Sequence, residues 1–264
     1  MYNDEFGKTF IVTHLDNNSS ACRTSNTMRF QASPYNHDGN SSMNIGAEAA
    51  EDVLTEEEVL RVDTMGLIVL YPRWTSIDLL CGEMPEKEDS AVILFAEAAY
   101  TGQRLEKFEH SNVAGDHVSG GQRYAGYRCE RNTGEFVYYD KAWKFCYKNY
   151  SAELDSAAQH GGAAFAQEMI IHEGKLKPTA RGNDNENVFR ALCCHQGRLC
   201  IIESSTVISF GDFKQALLNY GASEAIYLDM GAGWNYAWYR EKGEVVELHQ
   251  ARNRYCTNWI TFYK

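Results

Sequence analysis

Short apolar runs alternate with polar, glycine-containing turns along most of this chain. From residue 66 onward the runs GLIVLYP, TSIDLLCG and SAVILFAEAAY are each bounded by Pro, Gly or charged residues, which predicts β-strands. The last run is almost entirely apolar, as expected for a central strand. The polar stretch at 107–127 predicts a long loop, and the NTG at 132–134 predicts a turn in the hairpin-like segment that follows.

The C-terminal third has the clearest pattern. AAFAQEMIIHEGK predicts a strand that runs into a polar turn, and VFRALCC and LCIIES, joined by HQGR, predict a hairpin. SFGDFKQALLNYG predicts an amphipathic helix that ends at Gly221, and AIYLDMG then returns as a strand. The helical spacing of AEAAEDVLTEEEVLRV predicts another helix at 47–62. We therefore predict a single α+β domain over residues 1–264, with a mixed β-sheet core and packed helices.

Composition and charge exclude several classes of protein. The 264 residues are 44% hydrophobic and 23% charged, as in globular domains, and no apolar run is long enough to cross a bilayer. A net charge of −11 argues against general nucleic-acid binding. The opening MYNDEFGKTFIVTH lacks the basic and apolar regions of an export signal, so none is visible in this sequence.

The sequence also lacks the common cofactor and metal motifs. Its eight cysteines include no CxxC pair, and we interpret most of them as buried thiols. GNDNEN at 182–187 lacks the glycine and distal Glu of a calcium loop, and neither GxSxG nor a P-loop is present. We therefore predict neither a metal nor a cofactor.

One segment resembles a known family. The order FRALCCHQGRLCIIE…SFGDFKQALLNYGASEAIYLDMGAG is similar to the C-terminal signature of the phosphodiester glycosidases, in which an Arg on a strand precedes a hairpin, a helix and a strand that ends at Leu-Asp-Gly-Gly-Gly-Ser. Arg190 matches that Arg and Asp229 matches that Asp. The resemblance covers about residues 90 to 235 and leaves the first ninety unmatched.

Upstream segments extend the resemblance and also depart from it. FAQEMIIHEGK resembles the family's strand before "DGK" and places Gln167 at a position that is often polar, and VAGDHVSGG resembles a glycine-containing turn. Glu97, in AEAAYTG, stands where the family has Asn. Met230, Ala232 and Trp234 interrupt the glycine-rich loop after Asp229, so a bulkier pocket floor is expected.

The resemblance implies roles for these residues. Arg190 is expected to grip the phosphate, because its planar fork matches two phosphate oxygens. Asp229 and Glu97 are the two expected carboxylates, with Glu168 as a competitor for the role of Glu97 and His117 as a proton donor. The expected substrate contacts lie in the glycine turns, on one strand and in the Asp loop: Ser119, Gly120, Gln167, Gly231, Gly233, Trp234 and Asn235.

Each role has a structural alternative. Asp229 could simply accept amide hydrogen bonds at its turn, Arg190 could form a salt bridge at a strand end, and His117 could lie on the surface. The predicted function is hydrolysis of a sugar-phosphodiester linkage on a glycan or glycolipid. A non-catalytic glycan-binding protein that retains the cleft, or a structural surface protein, remains open. Relatives are typically exported, so the resemblance implies an extracytoplasmic location and substrates such as exopolysaccharide.

Overall fold

The computed structural model describes residues 2–3, 9–10, 57–100, 113–126, 133–148, 151–230, 236–249 and 257–264. Of these residues, 54% lie in strands and 11% in helices. The prediction of an α+β fold with packed helices is therefore wrong, because the protein is mostly antiparallel β-sheet. Neither helix in the described part of the chain is long and apolar enough to cross a membrane.

The larger of two main sheets has eleven strands. From edge to edge its main path contains β10 (Ala142–Tyr147), β9 (Thr133–Tyr139), β11 (Ala163–His172), β17 (Ala222–Leu228), β14 (Arg190–His195), β15 (Arg198–Ser204), β4 (Leu67–Pro72) and β3 (Val59–Thr64). Three short strands attach beside this path: β7 (His117–Ser119), β8 (Gln122–Tyr124) and β12 (Lys175–Leu176).

The second main sheet has five strands, in the order β19 (Glu244–Glu247), β18 (Ala237–Glu241), β6 (Val92–Glu97), β20 (Asn258–Tyr263) and β5 (Ser76–Cys81). Two-residue strands form two further pairs, β1 (Tyr2–Asn3) with β2 (Thr9–Phe10), and β13 (Glu186–Asn187) with β16 (Ile208–Ser209). The two described helices are α1 (Ser151–Gln159) and α2 (Phe210–Tyr220).

The main core lies between the two large sheets. Leu192 and Ile226 of the eleven-stranded sheet share one buried cluster with Leu94 and Ile260 of the five-stranded sheet. Successive side chains of a strand point to opposite faces, so this cluster defines one face of the larger sheet, which we call the inner face.

The opposite face, which we call the outer face, carries both helices. Leu154 of α1 is buried together with Val137 and Ala164. Phe213 of α2 is buried together with Ala191 and other residues of β14 and β17. Because one face packs on a sheet and the other on helices, the central strands are apolar on both sides.

Several predicted elements are confirmed. The three apolar runs from residue 66 form β4, β5 and β6, and the predicted hairpin forms β14 and β15. The predicted amphipathic helix is α2, which begins after the cap Ser209 and ends at Gly221, where φ is 94°. The run AIYLDMG contributes the last strand of this unit, β17.

Three local predictions are wrong. Residues 59–62 of the predicted helix at 47–62 lie in strand β3, and residues 47–56 are outside the described part of the chain. The predicted long loop contains the β7–β8 hairpin, which turns at Gly120 and Gly121 with positive φ. Thr133 and Gly134 of the NTG motif lie in β9, and Asn132 is outside the described residues; the hairpin of β9 and β10 turns at Asp140 and Lys141, which have positive φ.

Candidate functional site

Strand β11 changes its partner on one side. Residues 164–165 pair with β7, whereas residues 169–171 pair with β17. The start of β7 and the end of β17 therefore meet beside the middle of β11. The N–H of Asp229, just after β17, donates to the carbonyl of Ala98 just after β6 at 3.1 Å. Strand ends from both large sheets thus converge at one place.

Glu168 lies in this region of β11, and several donors hold its carboxylate. Its Oε1 accepts hydrogen bonds from the backbone N–H groups of Ala180 and Arg181, the latter at 3.0 Å. The hydroxyl of Tyr100 lies 3.5 Å from Oε2. Glu168 is two residues from Ala166 on the strand, so its side chain lies on the outer face, the side of the helices. The hydrogen bonds above hold the carboxylate there.

Asp229 reaches the same region. It is only 7% exposed, and it acts electrostatically on Arg181, Tyr100 and Tyr227. Burial opposes the charge on Arg181, but Tyr227, Tyr100 and Asp229 together raise the pKa of its guanidinium. Burial likewise raises the pKa of the Tyr100 hydroxyl well above its ordinary value. Asp229 and Glu168 are therefore brought to one cluster.

A lysine of α2 completes this cluster. Lys214 lies in the buried stripe of the helix, and its Nζ donates to Oγ1 of Thr179 at 3.1 Å. Burial lowers the pKa of Lys214, and the nearby Glu168 partly offsets this effect. We call this cluster the outer-face site, and it contains Tyr100, Glu168, Arg181, Lys214, Tyr227 and Asp229.

Arg190 lies on the other face. It stands opposite Leu228 and Glu203 in the register and is completely buried on the inner face. Its Nε donates to Oε2 of Glu203 at 2.7 Å, and Nε2 of His249 lies 2.6 Å from the other oxygen of Glu203. Burial would raise the pKa of Glu203, but Arg190 and His249 bring it below its ordinary value. This arrangement is a buried ion pair.

Glu97 also lies apart from the outer-face site. It is fully buried and stands opposite Trp259 in the register of β6 and β20. Directly opposed residues of antiparallel strands share a face, so Glu97 lies on the face of Trp259, Phe95 and Trp238. That face is the side of the five-stranded sheet that points away from the main core. The backbones of Glu97, Arg190 and Asp229 are thus close in space, but the three side chains lie on different faces.

The predicted histidine and the turn residues lie around β7. His117 is buried, its Nδ1 lies 3.0 Å from the carbonyl oxygen of Gly115, and its ring stacks on Tyr124. Ser119 donates its hydroxyl to the carbonyl of Leu79 at 2.7 Å and lines an open groove of about 680 Å³ with Gly120. His117 stands opposite Phe165 in the register and therefore lies on the inner face, away from the outer-face site.

Gln167 is the predicted contact nearest to this site along the chain. It is 2% exposed, its Oε1 accepts from the N–H of Glu168 at 2.8 Å, and its Nε2 has no hydrogen-bond partner among the described residues. The four predicted contacts in the Asp loop, Gly231, Gly233, Trp234 and Asn235, lie outside the described residues. Within the described ranges no three His, Cys, Asp or Glu side chains are grouped to hold a metal ion.

Sequence reasoning missed four polar residues of this region. Lys214 had a usable signal, because it stands between Phe213 and Leu217 in the apolar stripe of a helix. Glu135 had one as well, since it is a charged residue on the same strand face as the apolar Val137. Tyr100 and Arg181 had none, because both lie in irregular segments that only the fold brings together.

Glu135 is the most unusual carboxyl group of this region. It stands opposite Ala166 in the register, it is 0% exposed, and neither of its oxygens has a hydrogen-bond partner among the described residues. Burial, followed by the charge of Asp116, raises the pKa of Glu135 to about 10. It is therefore a neutral acid at pH 7. Glu135 pairs with Ala166, and Glu168 lies two residues further along the same face of β11.

Comparisons with known proteins give matches by structure alone. No family profile matches the chain, and no curated protein matches it. A solved hypothetical protein from Synechocystis is 12% identical, with a TM-score of 0.47, over 79% of this chain and 62% of that one.

A better-fitting solved structure has a described activity. It is the catalytic domain of zebrafish N-acetylglucosamine-1-phosphodiester alpha-N-acetylglucosaminidase, auto-inhibited by its pro-peptide. The match covers 78% of this chain and 81% of that one, with 11% identity and a TM-score of 0.55. At this identity the likeness shows that the chain shares the fold of that catalytic domain, and it shows the fold alone.

Proposed function

We propose that this chain is a glycosidase that hydrolyses the bond between a sugar and a phosphodiester. The observation that carries the proposal is the outer-face site, where the carboxylates of Glu168 and Asp229 arrive from distant strands beside Arg181. The fold shared with a phosphodiester glycosidase domain and the sequence around Asp229 support the same reaction. An extracytoplasmic location belongs to the proposal and rests on the family resemblance.

In the proposed reaction one carboxylate acts as a general base and the other stabilises developing charge. A water molecule attacks the anomeric carbon and gives a proton to Asp229, while the bond from that carbon to the phosphate oxygen breaks and its electron pair leaves with the phosphate. Glu168, held by two backbone N–H groups, stabilises the positive charge that develops on the sugar ring. The leaving phosphate is a weak base, so it departs without a proton from the protein.

The proposal is tested with the methyl phosphodiester of N-acetylglucosamine 1-phosphate, by measuring release of the free sugar. We expect Asp229→Asn and Glu168→Gln each to lower kcat/KM by about 10²–10⁴-fold while the unfolding transition is retained. Glu224→Gln is the matched control, because Glu224 lies on the same strand as Leu228 but pairs with His172.

Each result decides between the candidate functions. Sugar release that both substitutions abolish supports the glycosidase. Saturable binding of the diester without release, by the wild type, contradicts the enzyme and favours the glycan-binding alternative. Equal activity of the wild type and Asp229→Asn overturns the proposed role of the site.

A further inference from the structure

The guanidinium of Arg181 lies near Asp229 and Tyr100 in the outer-face site. Within the described residues no carboxylate oxygen forms a salt bridge with it, although Asp229 is near enough to affect its pKa. Its Nη2 donates to the hydroxyl of Tyr100 at 3.3 Å, and its Nε is buried without a hydrogen-bond partner among the described residues. A buried donor left without an acceptor is destabilising, so a position of this kind requires an explanation.

Aromatic rings hold this guanidinium in place. Its central carbon lies 4.7 Å from the ring centre of Tyr227. Two further rings approach it, at 5.6 Å for Phe210 and 5.7 Å for Phe189. Stacking on aromatic faces favours the cation without using its N–H groups, so the hydrogen-bonding edge stays available. The three rings therefore orient the guanidinium of Arg181, and its N–H groups can still bind an anion.

The contrast with the other arginines supports this interpretation. Arg190 has Glu203 as its buried counter-charge, and Arg240 donates to four backbone carbonyls. The Nε group of each of these two cations therefore has an acceptor supplied by the protein. Arg181 is half-buried, and among the described residues the acceptor of its guanidinium is a neutral hydroxyl, that of Tyr100.

We propose that Arg181, held by Tyr227, Phe210 and Phe189, is the anion-binding residue of the outer-face site and that it selects a singly charged phosphodiester over a doubly charged phosphomonoester. This inference rests on the proposed function for the identity of the substrate. It assigns the phosphate contact to Arg181 instead of Arg190, because Arg190 forms an ion pair with Glu203.

The charges around the site supply the selectivity. Two carboxylates, Glu168 and Asp229, stand beside two cations, Arg181 and Lys214, and burial lowers the pKa of the lysine. A second negative charge on the ligand therefore meets repulsion from both carboxylates without a further cation to offset it. A diester keeps one charge at every pH above about 3, whereas a monoester loses its second proton near pH 6.

The test compares dimethyl phosphate with methyl phosphate as probes. The Nε–H signal of Arg181 is followed by NMR at pH 5 and pH 8, and the Kd of each probe is measured by titration. We expect dimethyl phosphate to move this signal equally at both pH values. Methyl phosphate should bind at least about tenfold more weakly at pH 8 than at pH 5, as like-charge repulsion predicts.

Substitutions separate the guanidinium from its aromatic support. Arg181→Gln should abolish binding of the diester, and Phe210→Leu should weaken it about three- to tenfold while the charge is retained. Arg198→Gln is the matched control, because the guanidinium of Arg198 lies 4.6 Å from the ring centre of Tyr71 but the residue is exposed. This control should bind dimethyl phosphate like the wild type.

The outcomes distinguish this inference from the proposed function. If dimethyl phosphate binds through Arg181 and no sugar is released from the diester substrate, the anion site stands and the glycosidase does not. If sugar is released at the same kcat/KM by Arg181→Gln as by the wild type, the anion site is overturned. Tighter binding of methyl phosphate than of dimethyl phosphate at pH 8 overturns the charge selectivity.

Discussion

At the scale of single residues, Glu135 sets a strong pH dependence of stability. Burial raises its pKa in the folded protein to about 10, above the ordinary value near 4.3 of the unfolded chain. Well below about pH 4.3 both states are protonated, so the ionisation of Glu135 does not change the free energy of unfolding. As the pH rises from there toward 10, the unfolded state alone ionises, so folding stability falls.

We therefore expect Glu135→Gln to increase the free energy of unfolding by about 3 kcal/mol at pH 7 and by little at pH 4. Urea denaturation of both proteins at a series of pH values measures this difference. Glu186→Gln, at an exposed position of β13, is the control and should leave the pH profile unchanged. Parallel profiles for the wild type and Glu135→Gln would contradict a buried, neutral Glu135.

Individual residues also show how far the sequence could predict the site. Asp229 and Glu168 were both predicted as site residues, since each carboxylate adjoins an apolar strand and one matches a family motif. Their shared location in the outer-face site needed the register of β11 and β17. The alternative of a salt bridge for Arg190 is the arrangement that the structure contains, because Glu203 is directly opposite on the next strand.

At the scale of elements, the C-terminus of α2 depends on one glycine. Gly221 has φ 94°, and its N–H caps the carbonyls of Leu217 and Leu218. An added methyl group would meet the His195 ring at an ordinary contact distance of 3.6 Å, so backbone strain dominates its cost.

We expect Gly221→Ala to lower the free energy of unfolding by about 1 kcal/mol, measured by urea denaturation. Gly182→Ala is the control, because its φ is not positive and its nearest side-chain atom lies 3.8 Å away. It should change stability by less than about 0.5 kcal/mol. An equal effect of both substitutions would mean that the cap conformation does not matter.

Helices and strands were predicted correctly where the sequence pattern was compatible with a single type of element. The helix α2 has a polar cap, a stripe at helical spacing and a terminal glycine, which together fit no strand. The segment before residue 64 is compatible with both the helical and the strand periodicity of apolar residues, since Val59, Leu60 and Val62 suit a short strand as well as a helix. Pairing with β4 decides for the strand, because it completes the hydrogen bonds at that side of the sheet.

At the scale of the whole molecule, the cluster between the two sheets should make them unfold together. Leu192 of β14 and Ile260 of β20 are both 0% exposed in this cluster. We expect Leu192→Ala and Ile260→Ala each to cost about 2–5 kcal/mol and to lower one shared transition. Intrinsic fluorescence and far-UV circular dichroism during denaturation test whether the transitions coincide.

The exposed Val207→Ala provides the control and should leave the midpoint nearly unchanged. If Ile260→Ala produced a second, earlier transition confined to one probe, the five-stranded sheet would be an independent folding unit. The packing of both sheets into one cluster argues for a single cooperative transition.

The sequence by itself determined the short strands, the amphipathic helix α2 and the carboxylates at the ends of apolar runs. These features depend on periodicity and on turn residues, which act over a few neighbouring positions. The tertiary structure decided which carboxylates share a face, how the strands divide between two sheets, and that Arg181 stands among aromatic rings beside Asp229. These features depend on strand register, because a shift of one residue moves every side chain to the opposite face and no local pattern records that choice.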